Sequence, residues 1–330
     1  MIKKQEVNKT KVPGLICPVC RNGANKIRTL DDKFILNKLQ DYYSENFDAK
    51  LTTSLCVQKH SIYKCVWCTL EFAVPPTMGS DGFYEWVTNH PSYFHAHRWE
   101  WPIVIADLAK QSKKKMITVL EVGCGSGIFL EKLKKHKNIS AIGLDPTLSV
   151  VKECRKKGLK VFPETLDSFL AKKEYCSQRF DFVVAFHALE HITQPKEWVG
   201  KMLRALKPKG AIVLSTPYSP LSFEAIWYDP LNYPPHHMTR WNAKAYREMA
   251  LQFGLRADIT TSPPSLLIVR TLISLHMHWN GAMEPLSTWK VCLQALAHPI
   301  TTLRVAYKQF CREKVNGQTA GDIALVYIKT

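Results

Sequence analysis

The stretch Thr118-Val119-Leu120-Glu121-Val122-Gly123-Cys124-Gly125-Ser126-Gly127, followed by a helical pattern from Ile128 to His136, constrains this chain more than any other segment. It reads as strand, glycine-rich turn, helix. Glycines in such a turn allow backbone conformations closed to other residues, and they let a ligand approach the N–H groups at the helix start. From Ile117 onward, apolar runs alternate with amphipathic stretches. The runs include Ser140 to Leu144, Phe180 to Val184 and the segment ending at Pro217. This alternation predicts an α/β fold, a largely parallel sheet with helices on both faces.

The turn also narrows the ligand. Its spacing is Gly-x-Gly-x-Gly, not Gly-x-Gly-x-x-Gly, which suits a cofactor without a pyrophosphate. Glu121 lies two residues before the first glycine, where it would repel phosphate but suit a cationic amino-acid group. Asp145 ends the second apolar run, a place from which a carboxylate accepts hydrogen bonds from both hydroxyls of a ribose.

Val119 to Gly127 resembles motif I of the class I S-adenosylmethionine-dependent methyltransferases, and Gly143-Leu144-Asp145-Pro146 resembles their second motif. Phe180 to Val184 with Phe186 to His191 is similar to their fourth strand and its Leu-Glu-His ending. Leu203 to Pro217 is similar to the helix-turn-strand that follows. The resemblance covers about residues 117 to 262 and a last strand near Asp322 to Lys329. It implies a Rossmann-like methyltransferase sheet with S-adenosylmethionine as cofactor. Glu121, Gly123, Gly125 and Gly127 would hold the methionine part and Asp145 the ribose. Glu164-Thr165-Leu166 occupies the place after the third strand where the family touches adenine, although the usual acidic-small pair is blurred there. His187 would sit at the edge of the fourth strand, beside the cofactor.

Upstream, Cys17-Pro18-Val19-Cys20 and Cys65-Val66-Trp67-Cys68 form two Cys-x-x-Cys knuckles. Each aims two thiolates at one point, and the pair completes a closed, structural four-cysteine zinc site. Ile62 to Cys65 and Leu70 to Val74 read as a hairpin around the second knuckle. The long gap between knuckles predicts an insertion with a helix over roughly Asp31 to Phe47, with Cys56 a bystander. Cys124, Cys154, Cys176, Cys292 and Cys311 are scattered and read as small buried hydrophobes. An aromatic run follows (Phe83, Tyr84, Trp86, Tyr93, Phe94, Trp99, Trp101) and predicts a helical lid that packs on the core and lines the cleft. The expected domains are a zinc-binding module over 1–80, an aromatic helical linker over 81–112, and a methyltransferase domain over 113–330 with a helical insert at 265–318.

Two segments offer catalytic side chains. His187-Ala188-Leu189-Glu190-His191 fits the His-x-x-Glu-His string of one metallopeptidase group, but that motif needs a helix and here it straddles a strand end. Some O-methyltransferases of the resembled family hold a divalent metal at a similar Glu-His ending, while a packed turn is the simpler reading. After the fifth strand, Asn232-Tyr233-Pro234-Pro235-His236-His237 fixes two histidines beside a helix start capped by Asn242 or Thr239. Histidines so placed suit general-base work near neutral pH. His237 is the first candidate, His191 the second, with His236 beside them. A packing element that steadies the helix Lys244 to Phe253 is the competing reading.

The formal charge is +17, concentrated on lysine-rich runs that look like outer helix faces. A small-molecule acceptor, an anionic one included, fits this charge, and a sugar, cell-envelope or secondary-metabolite intermediate is the leading expectation. RNA methylation is the alternative, although the Asn/Asp-Pro-Pro-aromatic signature of base N-methylation is missing. A non-catalytic S-adenosylmethionine-binding protein is a third reading. No apolar run follows the basic start, and Leu266 to Trp279 is too short and too interrupted to span a bilayer. These features predict a cytoplasmic protein. The insert is expected to cap the substrate pocket, with a homodimer surface or peripheral membrane contact as alternatives.

Overall fold

A computed structural model describes residues 15–90, 93, 96–173, 175, 179–224, 227–280 and 286–330; the basic start of the chain, Phe94 and Cys176 lie outside these residues. In chain order the strands are β1 (Ala24–Leu30), β2 (His60–Cys65), β3 (Glu71–Val74), β4 (Ile117–Val122), β5 (Ile139–Leu144), β6 (Val161–Phe162) and β7 (Phe180–Phe186). There follow β8 (Leu206–Pro217), β9 (Thr239–Arg240), β10 (Arg256–Thr261), β11 (Lys314–Val315), β12 (Gln318–Thr319) and β13 (Ile323–Lys329).

The central sheet has the order β10-β13-β8-β7-β4-β5-β6. Strands β4 to β8 within it run parallel, and β13 is antiparallel to both its neighbours. All seven residues of β7 are buried, as a strand covered by helices on both faces requires. The chain winds from β4 through β5 to β6 on one side, then crosses to β7 and β8 on the other. The crevice where that order reverses, at the carboxyl ends of β4 and β7, is where open α/β sheets bind ligands. The Rossmann-like reading of the sequence therefore describes the sheet.

A second, antiparallel sheet has the order β1-β2-β3-β9. Three strands come from the cysteine-rich region. The fourth comes from the segment after the Pro-Pro-His-His sequence, with Glu71 opposite Arg240 and Phe72 opposite Thr239. Between β1 and β2 a helix runs over Asp32–Tyr43, its start fixed by the Asp31 carboxylate accepting from the Phe34 N–H. A second helix, Ala49–Leu55, capped by Asp48, was not anticipated. The helix Ala243–Leu251 takes Asn242 as its cap, at 3.0 Å to the Ala245 N–H.

In the insert, the helices Leu267–Asn280, Thr288–Ala297 and Pro299–Phe310 pack on one another around Leu275, Val291 and Val305. Gln309 donates to the Ser222 carbonyl, and Arg312 pairs with Asp322 at 2.8 Å. These bonds hold the insert beside the carboxyl end of β8. Among the described residues no helix is long and apolar enough to cross a membrane.

Candidate active site

The glycine turn leaves β4 with Gly123, Gly125 and Gly127 all in the left-handed region, at φ of 74°, 49° and 73°. A Cβ at Gly127 would sit 2.7 Å from the Leu159 side chain, so both dihedral and space call for glycine there. The N–H groups of Gly123 and Cys124 donate to the Leu144 carbonyl at 2.8 and 3.0 Å. Asp145 is tied into the same turn, accepting from Gly125 N–H and Thr147 N–H at 2.9 Å each. Each carboxylate oxygen has a second lone pair for a further donor. Thr165 caps the helix Leu166–Ala171 with its hydroxyl, and Leu166 is buried.

Beside the turn, Glu121 is buried, and one of its oxygens has no hydrogen-bond partner. Burial pushes its carboxyl well above the usual range, opposed by Arg98. A buried carboxylate with an orphaned oxygen calls for a donor or cation, so the site fits the amino group of an amino-acid-bearing cofactor. Arg98 lies among Glu121, Glu100 and Glu190. Its Nε and Nη1 are buried without partners, and its guanidinium lies over the Trp101 ring at 5.6 Å. A planar fork with unused donors matches a carboxylate. Arg98 and Glu100 were missed in the sequence. The signal was two ionisable residues set inside the aromatic run Arg98-Trp99-Glu100-Trp101.

His187 follows β7 with a left-handed φ of 52°, sparsely populated for a non-glycine residue. Its N–H donates to the Ser215 carbonyl at 2.9 Å. Its ring bridges two buried carboxylates, Nε2 to Glu100 at 3.3 Å and Nδ1 to Glu190 at 3.4 Å. Burial and Arg98 disfavour its charge, but Glu100 and Glu190 outweigh them and raise its pKa.

The other three histidines converge on one wall. Ring centroids lie 4.6 Å apart for His191 and His236, 4.9 Å for His191 and His237, and 4.5 Å for His236 and His237. Each Nδ1 faces an oxygen acceptor: His191 the His236 carbonyl at 2.7 Å, His236 the Leu231 carbonyl at 2.8 Å, His237 the Asn232 side chain at 3.3 Å. Donation from Nδ1 leaves the lone pair of each neutral ring on Nε2. Tyr93 reaches the His236 Nε2 at 3.1 Å, and the His237 Nε2 is 3.9 Å from Glu190. Burial lowers the pKa of all three, with neighbouring imidazoles adding to the effect on His236 and His237. Leu189–His191 is a single 3-10 turn, which excludes the helical geometry of a His-x-x-Glu-His peptidase.

What holds this wall is the cysteine-rich sheet. Ala73 N–H donates to the Met238 carbonyl at 2.9 Å, Gly79 N–H to the Pro235 carbonyl at 3.0 Å, and Met238 N–H to the Glu190 carbonyl at 2.8 Å. Arg240, buried, reaches Glu71 and Glu224 and stacks over Tyr233. The four thiols of Cys17, Cys20, Cys65 and Cys68 lie within 4.8 Å of one another. Cys17 and Cys68 are 3.6 Å apart, Cys20 and Cys65 3.4 Å. The Cys68 thiol draws Cys17 down to about 5 while its own pKa rises. N–H groups of Val19, Trp67 and Cys68 point at the sulfurs. Cys56 is exposed and outside the cluster. A separate cavity of about 330 Å³ lies between the insert and the segment after β8, lined by Tyr218, Leu221, Glu224, Lys308 and Gln309; neither the four cysteines, the glycine turn nor the histidine wall lines it.

A glycine turn at a sheet switch point, with the Asp145 carboxylate at the neighbouring strand end and an orphaned acid, could hold an adenosyl amino-acid cofactor. The methyltransferase-domain family profile matches residues 90–258, just over half of the chain, and the chain belongs to that family. It is 29% identical over 119 residues to a ubiquinone biosynthesis O-methyltransferase of Coxiella burnetii, a match covering 35% of this chain and 50% of the relative. It is 33% identical over 125 residues to a tRNA U34 carboxymethyltransferase of Helicobacter pylori, covering 36% and 48%. The matched stretch thus spans half or less of these curated relatives. A solved structure of a methyltransferase from Archaeoglobus fulgidus aligns with 70% of this chain and 94% of its own, at TM-score 0.45 and 18% identity.

Proposed function

We propose that this chain methylates a small-molecule acceptor, using S-adenosylmethionine as the donor. The observation that carries the reading is Glu121, buried beside the glycine turn with an unpartnered oxygen. Glu121 would take the amino group, Arg98 the carboxylate, and Asp145 the ribose hydroxyls. When bound, the cofactor supplies a methyl already activated on a sulfonium. The chain's own residues then have to align the nucleophile and remove its proton. His237 is the base of this proposal. Its Nδ1 is held by Asn232, its Nε2 is free to take a proton, and the Glu190 carboxylate 3.9 Å away steadies the imidazolium that forms. His191 is the second candidate, and His236, bonded to Tyr93, positions both. Thr165 and Leu166 border the adenine end.

The four cysteines would hold one structural zinc, whose role is to fix the sheet that carries the histidine wall. The test of substrate class is an S-adenosylhomocysteine-release assay with hydroxylated small molecules on one side and total tRNA on the other. Turnover with a small acceptor supports the proposal. Methylation of tRNA alone would contradict it.

A further inference from the structure

The insert turns its apolar residues outward. In the helix Thr288–Ala297, Trp289, Leu293 and Leu296 recur at helical spacing and are 72%, 54% and 78% exposed. In Pro299–Phe310, Ile300, Leu303, Tyr307 and Phe310 repeat the pattern at 82%, 70%, 69% and 72%. The inner sides of these helices already have partners, since Val291 and Val305 meet Leu275. Each helix therefore carries a second apolar stripe that covers nothing among the described residues. A cap would point these residues into the molecule.

The charge around the stripes is of one sign. From Leu286 to Arg312 there is no acidic residue, while Lys290, Arg304, Lys308 and Arg312 are basic. Lys290, Arg304 and Lys308 are exposed.

We propose that this helix pair docks on an anionic phospholipid bilayer. It would lie in the interface with its stripes at the acyl boundary and Lys290 and Arg304 among the headgroups. Charge decides between a bilayer and a second copy of the chain. A twin surface would bring the same basic residues together, on chains of formal charge +17, whereas anionic headgroups neutralise them. Trp289 and Tyr307 are residue types that favour the water–hydrocarbon boundary. Helices of 10 and 12 residues are too short to span, so the pair lies on the membrane. The insert sits beside the carboxyl end of β8, the same end of the sheet as the glycine turn. An acceptor reached from the bilayer follows only if the methyl-transfer reading holds; the docking does not depend on it.

The test is flotation of the full chain with vesicles of phosphatidylglycerol and phosphatidylcholine, against phosphatidylcholine alone, at low and high salt. Light scattering measures the mass in parallel, and S-adenosylmethionine affinity reports on the fold. The bound fraction should be roughly tenfold higher with phosphatidylglycerol and should fall with salt. The Leu296→Glu/Ile300→Glu variant should lose it with cofactor affinity within about twofold of wild type. Lys290→Glu/Arg304→Glu, which spares both stripes, should weaken binding to anionic vesicles alone. Three results would each overturn the proposal: wild type that does not float with anionic vesicles, stripe variants that float like wild type, or a dimer that the stripe variant splits. Vesicle failure with intact cofactor binding would leave the methyltransferase reading standing.

Discussion

The cofactor turn and the histidine wall face the same end of the sheet, yet they differ in how they are assembled. The turn joins Gly125 to Asp145 across 20 residues, through two adjacent parallel strands. The wall brings His191 to His236 across 45 residues and is pinned from outside by Ala73 and Gly79 of the cysteine-rich region. A site made from neighbouring strand ends is held first by the pairing of those strands in the central sheet. A site pinned by a second sheet inherits that sheet's stability, and here the second sheet carries the four-cysteine cluster.

The largest expected effect comes from breaking that dependence. Apparent binding free energies of structural zinc in small domains run to about 10–16 kcal/mol, so Cys65→Ser, or stripping the metal, should loosen the β3–β9 pairing. Hydrogen exchange should rise over 60–75 and 230–242, and turnover should be lost. S-adenosylmethionine binding should weaken far less, because the residues at the turn lie on the other sheet. Equal loss of both would show that the two regions are one unit. Metal analysis of the wild type should find one zinc per chain.

His237→Ala comes next. If His237 is the base, turnover should fall by roughly 10²–10⁴-fold with cofactor affinity nearly unchanged. A fall in melting temperature, cofactor affinity and turnover together would make it a packing element. Normal turnover would pass the role to His191.

A smaller effect should appear on acidification. His191, His236 and His237 have pKa values held below that of an unfolded histidine, by burial first. The folded state therefore binds fewer protons than the unfolded one. Their contribution is full above about pH 6.5 and lost as pH falls toward their folded values. His187 has the opposite sign: its contribution is present below that pH and lost as pH rises through its raised value. Among these four histidines three lowered groups stand against one raised, so their share of the melting-temperature slope is downward from pH 7 to pH 5. His60 acts with the three, and the raised carboxyls of Glu121 and Asp229 act against them. His236→Gln should flatten that slope, and an unchanged slope would mean the rings are not buried neutral.

These differences also explain what the sequence made legible. Strand, glycine turn and acidic strand end are contiguous signals, and each carries its own local geometry. The pairing of Glu71 with Arg240 is a contact between distant segments, and no local pattern announces it. Arg98 and Glu100 acquire their meaning only when the helix Glu100–Ser112 brings them against His187 and Glu190. In the insert the sequence shows apolar segments but not which of their residues face inward. The helix Ala49–Leu55 hid inside a gap, although Asp48 was a legible cap.

The central claim is that the glycine turn, Glu121 and Asp145 bind S-adenosylmethionine. Titration calorimetry of the purified chain tests it most directly, with NAD as the competing ligand and Asp145→Ala as the variant. Hydrogen bonds to a charged acceptor are each worth roughly 1.5–3 kcal/mol. The wild type should bind S-adenosylmethionine at one site, and Asp145→Ala should weaken it by roughly tenfold to more than a hundredfold. Tight NAD binding with no S-adenosylmethionine binding would contradict the account.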